Sequence, residues 1–245
     1  MKVTALKTRV INAGDNLFEI LDEAIESLKE KSVVAIASNV VSLCEGRVVK
    51  IGEADKEQLI KKEAEFFLPP DNRYHLHLTV KNSILSVNAG IDESNTNGYY
   101  TLWPKEAQES ANTVRAYLKK RFGVNYVGVV ITDSKTTPLR WGVTGAALAH
   151  SGFAALNDYT GKPDVFGRLF KFEKSNVADG LATSAVVVTG EGNEQTPLAV
   201  IEDVPFVKFQ DRNPTDEELK MLAISMEDDV YGEILRSAKW RKGKS

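Results

Sequence analysis

The stretch Tyr126-Val127-Gly128-Val129-Val130-Ile131-Thr132-Asp133-Ser134 begins with the most hydrophobic strand candidate of the chain. Its β-branched run predicts a buried strand, with Asp133 and Ser134 at the carboxyl end. A second stretch, Ala89-Gly90-Ile91-Asp92-Glu93-Ser94-Asn95, also puts a carboxylate directly after a strand-like run. Such carboxylates are costly to bury without a compensating cation. The two stretches together indicate a site for a divalent metal that carries phosphate, although each carboxylate could instead merely cap a turn.

Strands and helices are mixed along the whole length, which predicts an α+β fold of mixed sheets and helices. We expect a single unit over residues 1–245, or two subdomains of about 1–85 with 186–245 and about 86–185. Residues 136–167 have no clear period and are predicted to be loops and short elements. Predicted strands cover residues 3–10, 33–37, 74–80, 84–87, 126–131 and 198–201, with a tight turn at Asn82-Ser83 between the third and the fourth. Predicted helices cover about 16–28 (capped by Asp15), 56–67, 104–123 (ending near Gly123), 177–188, 216–224 and 228–238.

Composition excludes several classes of protein. Hydrophobic residues make up 42% of the 245 and charged residues 27%, which argues against disorder. The net charge of −3 lacks the basic excess of general nucleic-acid binders, and the basic stretch Lys239–Lys244 is interpreted as a solvated end. The single cysteine, Cys44, excludes an intrachain disulfide. With no signal peptide and no apolar run of about 18 residues, we expect a cytoplasmic protein without membrane contact.

A glycine-bearing turn follows the helix predicted at residues 177–188. Backbone N–H groups of Gly190, Gly192 and Asn193 could cradle phosphate, and Glu191 could be a further metal ligand. The alternative is an ordinary helix C-cap.

Three arginines, Arg47, Arg140 and Arg168, stand in glycine-bearing segments. Guanidinium groups there would suit a substrate with several anionic groups, or they could be structural.

Histidines offer a weaker metal signal. His75 and His77 alternate on a predicted strand and would face the same side, where they could bind zinc, contact substrate or simply pack. The sequence contains no Gly-x-Ser-x-Gly motif, so it gives no support for a serine hydrolase.

Taken together, the motifs resemble the γ-glutamyl ligase family of deazaflavin cofactor biosynthesis (coenzyme F420-0:L-glutamate ligase). The likeness runs from about residue 10 to 201 in one order. The matching segments are Val41-Ser42-Leu43-Cys44-Glu45-Gly46-Arg47, Gly90-Ile91-Asp92-Glu93-Ser94-Asn95, Val130-Ile131-Thr132-Asp133-Ser134, Pro138-Leu139-Arg140-Trp141-Gly142, Gly161-Lys162-Pro163-Asp164-Val165-Phe166-Gly167-Arg168 and Ala178-Asp179-Gly180-Leu181-Ala182.

The resemblance implies GTP-dependent addition of L-glutamate to a carboxylate through an acyl phosphate, in an intertwined homodimer of the γ-glutamyl ligase type. It also implies Mn²⁺ or Mg²⁺, two ions being expected, and K⁺. On this basis Asp92, Asp133, Ser134 and Glu191 are predicted metal ligands. Ser38, Asn39, Asn95, Gly190, Gly192 and Asn193 are predicted to bind nucleotide; Arg47, Arg168 and Asp164 to bind substrate; and Arg140 to act with Asp92 and Asp133 in catalysis.

One position departs from the family pattern: Leu43 stands where the family often has a lysine that touches phosphate. The segment Phe206–Ser245 lies outside the likeness, and bacterial members with such a tail are often described as folate-related ligases. A folate-type γ-glutamate ligase and a non-catalytic nucleotide- or cofactor-binding protein are therefore alternatives, and a metal phosphohydrolase is a third.

Overall fold

The computed structural model describes residues 1–244, and within that range seven α-helices combine with thirteen β-strands in four sheets. The predicted mixture of sheets and helices is confirmed, whereas the homodimer and the subdomain division stay predictions. The helices are α1 (Leu17–Ala24), α2 (Ser38–Cys44), α3 (Lys56–Glu63), α4 (Ala107–Phe122), α5 (Val177–Thr189), α6 (Asp216–Leu222) and α7 (Gly232–Ser237). The strands are β1 (Lys2–Leu6), β2 (Ser32–Ala37), β3 (Val48–Lys50), β4 (Phe66–Phe67), β5 (Leu78–Lys81), β6 (Ile84–Val87), β7 (Tyr99–Thr101), β8 (Val127–Thr136), β9 (Val143–Ser151), β10 (Leu156–Asp158), β11 (Lys174–Asn176), β12 (Leu198–Glu202) and β13 (Arg241–Lys242).

The largest sheet has the strand order β1-β12-β2-β8-β9, in which only β2 and β8 run parallel. Side chains of β2 alternate between its two faces. Val34 and Ile36 pack with α1 and α4 on one side, while Val33 and Ala35 pack with α5 on the other. Burial on both faces explains why β2 and β8 read as continuous hydrophobic runs, and each fully buried aliphatic side chain contributes roughly 1.5–3 kcal/mol.

Smaller sheets present the Asp92 segment. Strands β5 and β6 form a hairpin whose turn residues Asn82 and Ser83 both have positive φ, which confirms the predicted tight turn. After β6 the chain turns left-handed through residues 88–90. It then bridges to β7, where Asp92 and Thr101 exchange two backbone hydrogen bonds of 3.1 and 2.8 Å. Asp92 is thereby fixed by its own backbone.

Loops and short elements were expected over residues 136–167, and β10 is such a short element. The prediction is wrong for Val143–Ser151, which form the long strand β9. Helix α5 lies so close to β9 that a Cβ on Gly145 would stand 2.4 Å from the carbonyl carbon of Ala182. Small residues are therefore required on this face of β9. Because glycine and alanine are poor strand formers, the sequence conceals the strand.

Strand β8 also runs beyond its predicted end. It continues to Thr136, with a bulge between Ile131 and Thr132. Asp133 and Ser134 consequently lie inside the strand and not at its carboxyl end. A bulge changes the direction of the side chains next to it. Asp133 and Ser134 can therefore line a cleft although the strand continues past them.

Several predicted boundaries move. Asn16, not Asp15, caps α1, since its side chain accepts a hydrogen bond from the Phe18 N–H. Helix α3 ends at Glu63 because residues 66–67 pair with β5. Strand β1 ends at Leu6, residues 74–77 precede β5 outside any strand, and α4 begins at Ala107.

The predicted end of α4 near Gly123 is confirmed, since Gly123 is its C-cap with a φ of 65°. No helix within residues 1–244 is long and apolar enough to span a bilayer.

Candidate functional site

A cleft of about 580 Å³ opens beside the parallel strands β2 and β8. That volume lies within the range of small-molecule sites. Its walls are the segment between β1 and α1, the start of α2, the loop after Asp92, the middle of β8 and the turn after α5. The lining includes Ser38, Asn39, Leu43, Asp92, Asn95, Asp133, Ser134, Gly190, Glu191, Gly192 and Asn193, so every predicted metal and nucleotide residue faces one cavity.

Asp92 stands on the cleft wall with its carboxylate held by short hydrogen bonds. Asn39 Nδ2 donates to Oδ2 at 3.0 Å, and Ser94 Oγ donates to the same oxygen at 2.7 Å. The backbone N–H groups of Glu93 and Ser94 donate to Oδ1 at 2.7 and 3.0 Å. The Asp92 carboxylate therefore caps a turn, which was the alternative to a metal-binding role. The same turn also fixes the orientation of the carboxylate toward the cleft.

Asp133 is the more deeply placed carboxylate. It accepts hydrogen bonds from the indole N–H of Trp103, from the backbone of Ser134 and from the Ser38 side chain. Burial raises the pKa of Asp133 to about 6, and the nearby charge of Asp92 pushes in the same direction. The surroundings of Asp133 thus disfavour its charged form, as is common for carboxylates at functional sites.

Glu191 joins the same electrostatic group. Desolvation raises the pKa of Glu191, a hydrogen bond from the Ser134 side chain opposes the shift, and the charges of Asp92 and Glu194 add to it. Because the charge of Asp92 acts on both Asp133 and Glu191, the three carboxylates share one wall. Arg9 is the one cationic side chain among the residues lining this cleft.

The donor set has the chemistry of a hard-cation site. Carboxylate and hydroxyl oxygens of Asp92, Asp133, Ser134 and Glu191 are the ligand types that Mg²⁺ and Mn²⁺ take. Across residues 1–244, no three His, Cys, Asp or Glu side chains already converge as a complete ligand set. Such ions commonly bind through one or two carboxylates and complete their shell with substrate phosphates and water, so these residues fit that mode.

The predicted nucleotide residues are engaged with one another. Asn39 bridges inward, since its amide donates to Asp92 and its Oδ1 accepts from Thr101 Oγ1 at 2.8 Å. Asn95 Nδ2 donates to the Gly192 carbonyl at 2.9 Å, which joins the Asp92 loop to the turn after α5. In that turn the Glu194 carboxylate accepts the Gly192 N–H at 2.8 Å. An anion therefore already sits on a backbone N–H of the turn.

The predicted substrate residues do not line this cleft. Arg47 pairs with Glu63 at 2.6 Å and donates from Nε to the Trp103 carbonyl at 3.3 Å. Arg140 lies exposed on the β8–β9 connection. Asp164 Oδ1 accepts the backbone N–H of Arg168 at 2.9 Å within an exposed loop. Their roles toward substrate stay predictions.

The histidines do not form a zinc pair. His75 has a φ of 54° in an exposed turn, whereas His77 is buried with Nδ1 3.0 Å from the Leu68 carbonyl oxygen. The predicted strand that would align them begins only at Leu78, so the expectation of a shared face is wrong. Burial also raises the pKa of Cys44 to about 12, which makes its thiol a poor nucleophile at neutral pH.

Two site residues escape sequence reasoning. Trp103 touches Asp133 from 30 positions away, and nothing in the local pattern indicates that contact. Arg9 lies between β1 and α1, where its guanidinium pairs with Asp15 at 2.5 Å. The sequence offers one hint of Arg9, namely that this basic residue stands shortly before Gly14 in the segment that leads into α1.

Comparison with known proteins gives consistent matches. The family model described as F420-0:gamma-glutamyl ligase matches residues 5–203. The coenzyme F420:L-glutamate ligase of Methanopyrus kandleri is 34% identical over 212 residues, 78% of this chain and 82% of the relative. The enzyme of the same name from Methanococcus maripaludis strain C7 is 33% identical over 250 residues, 94% of this chain and 97% of the relative. A share of 94% is too large to leave all of Phe206–Ser245 outside, so the expectation that likeness ends before this tail is wrong for that relative.

Proposed function

The chain belongs to the F420-0:gamma-glutamyl ligase family, and from that premise we propose that it joins L-glutamate to the carboxylate of an F420-0-like deazaflavin at the expense of GTP. Membership makes the chain an amide-bond-forming ligase. Relatives named coenzyme F420:L-glutamate ligase support glutamate and a deazaflavin as the substrates. To this ligase activity we add, as part of the proposal, GTP as the phosphoryl donor, bound metal ions and an acyl phosphate intermediate.

The proposal is carried by the excess of carboxylates in the cleft. Asp92, Asp133, Glu191 and Glu194 line it, whereas Arg9 is the one cationic side chain in its lining and already pairs with Asp15. These carboxylates would repel a triphosphate. Mg²⁺ or Mn²⁺ ions, two of them being expected, with K⁺ as a further ion, would remove that repulsion. When bound, the divalent ions would neutralise charge on the phosphoryl group in transit.

The residues of the chain then have distinct tasks. Asn39 and the turn at Ser94 hold Asp92, while Ser38 holds Asp133. The turn after α5 and Asn95 would face the nucleotide. An acceptor carboxylate oxygen would attack the γ-phosphorus and release GDP, which leaves an acyl phosphate. The glutamate amine would then attack the acyl carbon, form the amide and expel inorganic phosphate.

The substrate-binding arginines call for a second copy of the chain in this scheme. Arg140 and Arg168 lie on two exposed segments, 137–143 and 159–173, instead of in the cleft. These segments carry apolar side chains that are more than four-fifths exposed: Leu139, Trp141, Val165, Phe166 and Phe172. Exposed apolar groups of this kind mark interaction surfaces, so we infer that they pack in a homodimer and there approach the acceptor. Light scattering should give twice the chain mass, and a monomer would contradict this part.

A substrate panel tests the function. The protein is incubated with GTP, Mn²⁺ and L-glutamate and with either a deazaflavin or a folate acceptor, and products are identified by mass spectrometry. We expect a glutamylated deazaflavin and GDP, both lost in Asp133→Ala. No product and no GDP, with Asp133→Ala indistinguishable from wild type, would contradict the proposal.

Two alternatives keep specific support. A glutamylated folate alone would make this a folate-type γ-glutamate ligase. GTP binding without turnover would make it a non-catalytic member, which is motivated by Leu43, a buried apolar residue on the cleft wall where the family often has lysine. A marked gain of activity in Leu43→Lys would show what that position costs. GTP hydrolysis independent of glutamate would favour a phosphohydrolase.

A further inference from the structure

We propose that Trp103 is a positioning residue that holds the Asp133 carboxylate ready for a divalent ion, an inference that rests on the proposed function. Trp103 is 4% exposed and does not line the cleft itself. Its action would pass entirely through Asp133.

The first observation is the contact between the two side chains. The indole N–H of Trp103 donates a hydrogen bond to Asp133 Oδ2. A donor fixed on one carboxylate oxygen restricts rotation of the group, and with the hydrogen bonds from Ser134 and Ser38 it fixes the direction in which the carboxylate faces. Hydrogen bonds that orient a ligating carboxylate in this way typically matter 10–100-fold for metal affinity or activity.

The second observation is the space made for the indole. A Cβ on Gly90 would stand 1.9 Å from Trp103 Nε1, and Gly90 also adopts a φ of +72°. Any side chain there would displace the ring and strain the backbone. Because Gly90 lies two residues before Asp92, the indole is packed between the segment that carries Asp92 and the strand that carries Asp133.

The third observation is a set of charged residues that restrains Trp103. Lys81 Nζ lies 5.5 Å from the centroid of the Trp103 ring, and it pairs with Glu63 at 2.7 Å. Arg47 pairs with the same Glu63 and donates from Nε to the Trp103 carbonyl oxygen. Both the ring face and the backbone of Trp103 are thereby restrained. This gives Arg47, expected from the sequence to bind substrate, a role in holding the tryptophan.

The test compares three variants with wild type in Mn²⁺ binding, read as loss of the free-ion EPR signal at fixed GDP. Trp103→Phe keeps an apolar ring but loses the N–H donor. Trp103→His places Nε2–H at the same number of bonds from Cβ as the indole nitrogen, in a smaller ring. Trp240→Phe is the matched control, because Trp240 also donates its indole N–H, at 2.6 Å to the Leu235 carbonyl, away from the cleft. Circular dichroism melts check that each variant folds.

We expect Mn²⁺ binding to weaken about 10–100-fold in Trp103→Phe, to be partly restored in Trp103→His, and to be unchanged in Trp240→Phe. Wild-type affinity in a folded Trp103→Phe would overturn the inference. So would Trp103→His binding more weakly than the bulkier phenylalanine variant, since packing would then be the role of the tryptophan. Wild-type protein that binds no Mn²⁺ would instead overturn the proposed function, and the inference would fail with it.

Discussion

Replacing Asp133 by asparagine should make the metal-free protein more stable at neutral pH. Burial raises the pKa of Asp133 from 3.8 to about 6. Because the folded protein holds this proton more tightly than the unfolded chain does, the group destabilises the fold as pH rises from about 4 through about 6. The difference of about two pKa units corresponds to roughly 3 kcal/mol at most.

The net gain in the variant should be smaller than that limit. Asparagine replaces one acceptor oxygen by a donor, which costs about 1 kcal/mol among partners such as Trp103 and Ser38. The partial solvent contact of Asp133 reduces the electrostatic part further. We therefore expect Asp133→Asn to gain about 1–2 kcal/mol at pH 8 and to lose that advantage near pH 4.

Urea unfolding followed by circular dichroism, in a chelator and at several pH values, measures this difference. Groups distant from Asp133 contribute equally in both proteins, so their titration cancels in the difference between the two free energies of unfolding. With Mn²⁺ and GDP added, wild type should become the more stable protein, because only the aspartate binds the ion well. If the asparagine variant were less stable than wild type at pH 8 in chelator, the ionised Asp133 could not be destabilising the metal-free fold.

The remaining predictions concern packing, charge and reactivity. Gly145→Ala should lower the free energy of unfolding by about 1–3 kcal/mol in urea titrations, because its Cβ would overlap the backbone of Ala182; a neutral effect would mean that α5 can move away. Arg9→Gln should weaken GTP binding about 10-fold or more by calorimetry, since it removes the one cationic side chain among the residues lining the cleft, while Arg121→Gln on α4 should leave it unchanged. Cys44, with a pKa of about 12, should resist alkylation at pH 8 until the protein unfolds, and rapid labelling of native protein would contradict that.

The sequence predicted elements wherever local chemistry decides the structure. The hydrophobic run of β8, the tight turn at Asn82 and the C-cap at Gly123 each follow from residues close in the chain. Strand β9 could not be predicted in this way. Its small residues are set by the close approach of α5, a contact between segments far apart in sequence.

In the candidate site, too, the features set by neighbouring residues could be predicted and those set by distant contacts could not. The motifs that carry Asp92 and Asp133 were recognisable locally, and they do line one cleft. Trp103 and Arg9 were not recognisable, because each acquires its role only through a partner or a cavity that folding assembles. Arg47 was assigned to substrate from its glycine-flanked position, whereas its ion pair with Glu63 is a tertiary feature.

In the proposed reaction an acyl phosphate couples GTP to amide formation, and an isotope transfer measures that step directly. The acceptor carboxylate is labelled with heavy oxygen and incubated with enzyme, GTP, Mn²⁺ and L-glutamate, and the released inorganic phosphate is analysed by mass spectrometry. We expect one labelled oxygen in each phosphate released with product, and no labelled phosphate from Asp133→Ala. Glutamylated product that forms with unlabelled phosphate would contradict it.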